Sequence, residues 1–344
     1  MKKKILVGMS GGVDSSVAAY LLKEEYDVIG TTLALHGDCS DAVRDAKKVC
    51  KQLNIPHYTE DKSEIFKRYV INNFIEEYKN ARTPNPCVWC NYYIKFGAMM
   101  DLADKYGCDL IATGHYVSRG YDETTDEFYL YPAQYGEKDQ TYALYRLTQN
   151  QLKRARFPLG AISKEKVREI ASALDLDVAN KKDSQEICFI PDNDYGSYIE
   201  RAIGKSTPGN FIGPNGEVLG THKGLIHYTV GQRRGLNVAY GERIYVAKLD
   251  VENNAVILGV DGVQNTDVVY ADTLTFMTDR EIPKNFICDA KIRYNGKASP
   301  AKVEIDGLEM TITFDSPQRA ASPGQSVVLY KNGRLLGGGI MKAR

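Results

Sequence analysis

Residues 4–22 read KILVGMSGGVDSSVAAYLL. An apolar, β-branched run ends in glycine, a short Gly/Ser loop follows, and Val17, Ala18, Leu21 and Leu22 then recur at helical spacing, which predicts strand, tight loop and helix. The loop SGGVDS lacks the Lys-Ser/Thr ending of a Walker A loop and does not match GxGxxG. Its chemistry still suits an anion. Gly11 and Gly12 let the backbone turn and approach closely, Ser10 and Ser15 carry hydroxyl donors, and the helix start supplies unpaired N–H groups with a positive dipole. Asp14 would repel a bare phosphate, so its place is best explained by Mg2+ between it and the phosphates. A plain glycine turn capped by Ser and Asp is the alternative reading.

The pattern of residues 4–22 repeats downstream. DVIGTTLAL reads as strand, SDAVRDAKKVCKQLN as helix, IPHYT as strand, SEIFKRYVINNFIEEYKNA and IKFGAMMDLADKYG as helices, and CDLIATGHYV as strand. Such alternation predicts an α/β nucleotide-binding domain with a parallel sheet, whose ligands lie outside the carboxyl ends of the strands. Helical character continues through SKEKVREIASALDL and DYGSYIERAIG and stops near Gly204. Short β-type runs such as RIYVAKLD, AVILGV, AKVEI, EMTITF and SVVLY then take over. The expected division is a catalytic domain at 1–204, a small β-rich middle domain at 205–266 and a C-terminal antiparallel barrel-like domain at 267–344.

With 344 residues and 43% hydrophobic content, the chain has enough apolar material for ordinary cores. It holds no apolar run long enough to span a membrane and no secretory leader, so a soluble cytoplasmic protein is expected. Seven scattered cysteines in such a chain predict reduced thiols. The 44 basic and 44 acidic residues balance, which argues against a protein that coats nucleic acid by bulk charge, but the charge is segregated. Lys223, Arg233, Arg234, Arg243 and Lys248 face only Glu242 across residues 222–248, whereas residues 250–281 are acidic. That basic segment is expected to grip phosphates.

Two stretches carry the thiols. PNPCVWCNYY, residues 84–93, places Cys87 and Cys90 on a proline-stiffened loop before a helix, where a helix N-terminus would favour the thiolate. KKDSQEICFIP, residues 181–191, adds Cys188, with Lys181 and Lys182 nearby to stabilise a thiolate; on its own, a cysteine between Ile187 and Phe189 reads more often as a small buried hydrophobe.

The loop at Ser10–Ser15 resembles the pyrophosphate loop of the N-type ATP pyrophosphatases, which split ATP to AMP and pyrophosphate and adenylate a carbonyl oxygen. RTPNPCVWCNYYIKF, ATGHY, KDQTYALYRL, KKDSQEICFIP, YTVGQRRGL, SPGQSVVLY and LGGGI resemble, in the same order and over nearly the whole chain, the tRNA-specific 2-thiouridylases. The resemblance implies an enzyme, a tRNA-uridine 2-sulfurtransferase acting on the wobble uridine of tRNAs for Lys, Glu and Gln. It implies ATP and Mg2+, tRNA as partner, and a persulfide-donating sulfur carrier protein or cysteine desulfurase. By the same resemblance Gly8, Met9, Ser10, Gly11, Gly12, Val13, Asp14, Ser15, Leu33 and Gly114 contact ATP. Cys90 matches the nucleophile and Cys188 the persulfide carrier. Asn85, Pro86 and Cys87 lie beside the target base, and His115, Lys138, Asp139, Gln140, Arg293, Tyr294 and Gln325 match tRNA contacts.

One departure concerns Cys87, which stands where many members carry an aspartate proposed as acid/base; a thiol with a reference pKa near 8.5 is a poor substitute for a carboxylate base. Cys87, Cys90 and Cys188 could instead hold a [4Fe–4S] cluster, or Cys87 and Cys90 could form a redox pair. Tyr92 and Tyr93 also replace the family's frequent Lys-Glu. Two other classes compete, an amide-forming ligase of the same superfamily and a non-catalytic RNA-binding module. The thiols argue against the first and the intact phosphate loop against the second.

Overall fold

The computed structural model describes residues 2–37, 39–179, 181, 187–190 and 192–343. Strand β1 (Lys4–Gly8) is followed by α1 (Val13–Leu22), β2 (Asp27–Ala34), α2 (Ser40–Gln52) and β3 (His57–Asp61). After two long helical segments, β4 (Leu110–Ala112), the hairpin β5 (Val117–Asp122) with β6 (Glu127–Pro132), and β7 (Ala155–Arg156) complete the first part. The parallel sheet runs β3-β2-β1-β4-β7, as the alternating pattern predicts. Because β1 sits between β2 and β4, its carboxyl end is where the strand order reverses, and the loop at residues 9–12 occupies that point.

The two faces of β1 explain its unbroken apolar run. Ile5 and Val7 enter one core with Val17, Ala18 and Val49, while Leu6 enters the opposite core with Phe96, Met99 and Ile111.

Residues 63–79 form one continuous helical rod with a π turn at Lys67–Ile71, and residues 86–105 form another with a π stretch at Cys90–Ala98. The latter holds both cysteines of the 84–93 stretch. Beyond Gly204, β8 (Gly209–Ile212), β9 (Val218–His222), β10 (Ile244–Asp250) and β11 (Ala255–Val260) form a four-stranded sheet in the order β10-β11-β8-β9, around Phe211, Val246 and Val256.

Strands β12 (Asn265–Phe276), β13 (Asn285–Lys291), β14 (Ser299–Asp306), β15 (Glu309–Arg319), β16 (Ser326–Lys331) and β17 (Arg334–Met341) close into a six-stranded antiparallel barrel. Alternate residues such as Ala301 and Val303, or Met310, Ile312 and Phe314, point inward and fill it. The expectation of a barrel-like C-terminal domain thus becomes a closed barrel. Among the described residues no helix is long and apolar enough to cross a membrane.

Candidate active site

The loop after β1 is built to approach a ligand closely. Gly11 has φ +68, and a Cβ there would stand 2.6 Å from Ala42 O, so no other residue fits without moving the start of α2. Gly114, just after β4, packs so tightly under the loop that a Cβ would lie 2.8 Å from Asp14 C and 2.9 Å from Ser15 N. Ser15 is buried, and its Oγ donates to Gly12 O, accepts from Ser10 N at 3.2 Å and meets Ser10 Oγ at 3.2 Å. These bonds hold the loop open, with Gly12 as the extended N-cap of α1. Leu33, half-buried on β2, bridges the core beneath the sheet and the aromatic core beside the cysteines.

Two lysines that motif reading does not assign to this loop also reach it. Lys164 Nζ donates to both carboxylate oxygens of Asp14, at 2.7 and 2.9 Å, and Tyr116 Oη donates to Asp14 Oδ1 at 2.7 Å. Lys181 Nζ donates to Gly11 O at 3.0 Å and to Asp45 at 3.0 Å, so it braces the loop rather than serving Cys188; Lys182 lies outside the described residues. Asp14 as arranged is neutralised by an ammonium, so its carboxylate does not fit a cation unless Lys164 withdraws.

The sequence reading puts Cys87 and Cys90 on a loop before a helix; the structure places both inside the helix. Asn85 is its N-cap, Asn85 Oδ1 accepts from Cys87 N at 3.1 Å, and Pro86 takes the first helical position, where its missing N–H costs nothing. The Asn-Pro pair was the signal for that start. Cys87 is exposed and Cys90 is buried. Burial pushes the Cys90 thiol up to about 12, with Lys95 opposing and Cys87 and Cys188 adding to the rise, so the expected lowered thiolate is not found in this conformation. Cys188 is exposed, yet desolvation by the surrounding protein, then the nearby Cys87, raises its pKa as well. The three thiols are therefore within electrostatic reach of one another. All seven cysteines are free. Among the described residues no three His, Cys, Asp or Glu side chains gather in a metal-holding group, so this arrangement does not fit a three-cysteine cluster.

The remaining expected residues divide. Gln325 Nε2 donates to Thr83 O at 2.7 Å and Pro84 O at 3.1 Å, so it ties the barrel to the segment entering the cysteine helix. Tyr294, half exposed, stands within electrostatic range of Cys87 and Asp139, and Arg293 beside it is exposed. His115 is buried; its Nδ1 pairs with Thr113 Oγ1 at 2.7 Å, its ring meets Phe96, and burial holds its pKa well below 6.5. Gln140 Oε1 accepts from Tyr116 N, Asp139 accepts from Thr141 N and Oγ1, and Lys138 is exposed.

Sequence reasoning missed Arg146. Its guanidinium lies 4.4 Å from the Trp89 ring and donates to Thr273 O at 3.0 Å, which joins the cysteine helix to the barrel. Trp89, Tyr93 and Tyr69 continue this stack, each pair inclined by 15°. Tyr93, at the position of the family departure, is thus part of the wall that braces the cysteine helix.

Three family models match in succession. They are described as a tRNA methyl transferase HUP domain over residues 3–192, a tRNA methyl transferase PRC-barrel domain over 196–260, and an aminomethyltransferase beta-barrel domain over 266–341. Among curated proteins, the chain is 46% identical to the tRNA-specific 2-thiouridylase MnmA of Clostridium acetobutylicum, covering 99% of this chain and 100% of that protein. It is 45% identical to the protein of the same name from Acetivibrio thermocellus, covering 99% of each. A solved structure, the U34-tRNA thiolase NcsA from Methanococcus maripaludis with its [4Fe-4S] cluster, matches with TM-score 0.37 and 23% identity over 58% of this chain and 67% of that one, a likeness too weak to bear on the thiols. A phosphate loop at the sheet's switch point, three neighbouring thiols and full-length relatives at this identity agree: the chain belongs to the tRNA-specific 2-thiouridylase family.

Proposed function

We propose that the protein is an ATP-dependent tRNA-uridine 2-sulfurtransferase that thiolates the wobble uridine of tRNAs for Lys, Glu and Gln. The observation that carries this reading is the pairing of an anion-ready loop with a buried thiol, Cys90, and an accessible one, Cys188, in electrostatic contact. The matched models mention methyl transfer in their descriptions, but a phosphate loop and thiols are the equipment of adenylation followed by sulfur transfer.

The loop N–H groups at residues 11–14 hold the phosphates of ATP, and an already unpaired base swings out of the anticodon loop at modest cost. The uridine O2 attacks the α-phosphorus and pyrophosphate leaves. Cys188 carries a persulfide whose terminal sulfur attacks C2, AMP departs with the former O2, and Cys90 attacks Cys188 Sγ. The sulfur stays on the base and a Cys90–Cys188 disulfide forms, which an external thiol reduces. Attack by Cys90 before transfer would instead release hydrosulfide as the nucleophile, with the same disulfide as product. Both routes require Cys90 to lose its proton, so tRNA binding must open its surroundings or bring Lys95 closer. Mg2+ would neutralise the phosphates of ATP. A sulfur carrier protein or cysteine desulfurase supplies Cys188. The division at 1–204, 205–266 and 267–344 remains our proposal for the functional units, supported by the ranges of the matched models.

The test is an anaerobic assay with purified protein, ATP, unmodified tRNA and a persulfide donor, read by mass spectrometry of digested nucleosides, with iron and labile-sulfide analysis of the same sample. We expect 2-thiouridine at the wobble position, AMP and pyrophosphate in step with it, and no iron requirement. Cys188→Ser should form adenylate without thiolating, and Cys90→Ser should not thiolate. ATP turnover that depends on ammonia and ignores tRNA would overturn the proposal.

A further inference from the structure

An open cavity of about 460 Å³ lies where the middle sheet meets the barrel, lined by Gly231, Gln232, Arg233, Arg234, Tyr245 and Arg319. We propose that Arg233, Arg234 and Arg319 form a subsite for neighbouring phosphates of the tRNA backbone, remote from the reacting base; this rests on the reading of tRNA as substrate.

Three guanidinium side chains share a cavity with no acid in its lining. Arg233 and Arg234 are exposed and, among the described residues, their side chains enter no ion pair or hydrogen bond. Arg319 is held over the Tyr245 ring at 5.1 Å and has one distant acidic neighbour, Asp261, at 3.8 Å, with both side chains more than half exposed. Such clustering is unfavourable until an anion enters. Guanidinium groups bind phosphate through paired N–H donors, which suits this composition.

The loop that presents the arginines is set in advance. Gln232 Oε1 accepts from Thr229 N and Gln232 Nε2 donates to Arg234 O, both at 3.0 Å. Gly231 N donates to Val246 O at 2.8 Å, and Val246 N to Gln232 O at 2.9 Å. Little backbone ordering is left to be done on binding.

The loop is also tied to the cysteine segment. Thr229 Oγ1 and Thr83 Oγ1 are 3.1 Å apart, Ser322 Oγ donates to Val230 O at 3.0 Å, and Thr83 N donates to Pro323 O at 2.7 Å. Arg233 is four positions beyond Thr229, and Cys87 is four positions beyond Thr83. At roughly 3.3–3.6 Å per residue, Arg233 and Cys87 therefore lie no more than about 35 Å apart, roughly one turn of a nucleic-acid duplex. A tRNA whose wobble base is at Cys87 can reach the cavity with its backbone. The cavity is too open to enclose a single inorganic phosphate, which favours a strand over a free ion.

The experiment measures binding of unmodified tRNA to the full-length protein across a KCl series, for the native protein, the double variant Arg233→Gln/Arg234→Gln, and Arg319→Gln on a separate element, with circular dichroism to verify folding. Each lost phosphate contact should lower the salt slope by roughly 0.7–0.9, and the double variant should weaken binding about tenfold. Arg233→Lys/Arg234→Lys, which keeps charge but not the fork, should restore the slope and only part of the affinity. Inorganic phosphate, titrated by calorimetry, should bind the native protein and the variants equally weakly. Folded variants with native tRNA affinity and slope would overturn the proposal, as would arginine-dependent tight binding of inorganic phosphate with tRNA binding unchanged. Failure of the native protein to bind tRNA would overturn the functional reading itself.

Discussion

Cys90 and Asp14 are each positioned for chemistry yet held out of it. Burial pushes the Cys90 thiol up to about 12, so in the free protein at pH 8 its thiolate fraction should be on the order of 10³-fold lower than for a thiol at the reference value near 8.5. Iodoacetamide followed by peptide mass spectrometry should therefore modify the exposed Cys87 and Cys188 first, with Cys90 labelling rising with pH and on addition of tRNA and ATP. Rapid Cys90 labelling in the free protein at neutral pH would contradict the buried-thiol account. Asp14 is paired with Lys164, whose side chain is only 9% exposed. Asp14→Asn removes the charged acceptor of the bonds from Lys164 and Tyr116, so urea denaturation should show a loss of about 2 kcal/mol, the scale of hydrogen bonds to a charged group. An unchanged midpoint would show that the pair contributes nothing to stability. The glycines and thiols were legible because their spacing is local. Lys164 was not, since its partner lies 150 residues away and nothing near Lys164 distinguishes it from a solvated lysine.

At the scale of elements, the helix at residues 86–105 is fixed from three sides: its own cap at Asn85, the Arg146 guanidinium on Trp89, and the Gln325 amide on Thr83 and Pro84. Its β/α neighbours could be read from apolar periodicity, and so could the helix itself. Its start was misplaced because the two prolines suggest a stiff loop, whereas the Asn-Pro pair is an N-cap followed by a favourable first residue. Gln325→Leu keeps the side chain's bulk but removes both donated bonds, leaving two carbonyls unpaired near the entrance of the helix. A cost of about 1–3 kcal/mol is expected, concentrated in local opening rather than global unfolding. Hydrogen exchange should accelerate at residues 82–90 with little change in β1 or β4, and Cys90 alkylation should speed up alongside it. Uniform acceleration across the sheet would place the role of Gln325 in global stability instead.

For the whole molecule, the division into three units by sequence does not coincide with the division of its cores. One core joins Leu6, Phe96, Tyr142, Leu144 and Tyr145 of the first unit to Met277, Val328, Tyr330 and Leu335 of the barrel. Tyr142 Oη donates to Ser326 O at 2.7 Å, Ser326 Oγ donates to Tyr145 Oη at 3.3 Å, and Thr141 Oγ1 is 3.0 Å from Tyr330 Oη. Composition shifts mark where strands replace helices, but they carry no information about which buried faces meet, so this union was illegible. It has a measurable consequence. The four barrel side chains contribute roughly 1.5–3 kcal/mol each by burial, an upper total of about 6–12 kcal/mol, comparable with the 5–15 kcal/mol that separates most native proteins from unfolding. A fragment of residues 1–204 should therefore not hold the native fold of its first unit, even though the parallel sheet and phosphate loop lie wholly within it. Expressed alone, it should aggregate or bind 8-anilinonaphthalene-1-sulfonate through the uncovered Tyr142, Leu144 and Tyr145 face. The intact chain should lose ATP binding and barrel structure in one transition when followed by separate probes in urea. A monomeric fragment 1–204 with native-like near-ultraviolet dichroism and ATP affinity would show instead that the catalytic unit stands without the barrel, and that the shared core serves only to dock it.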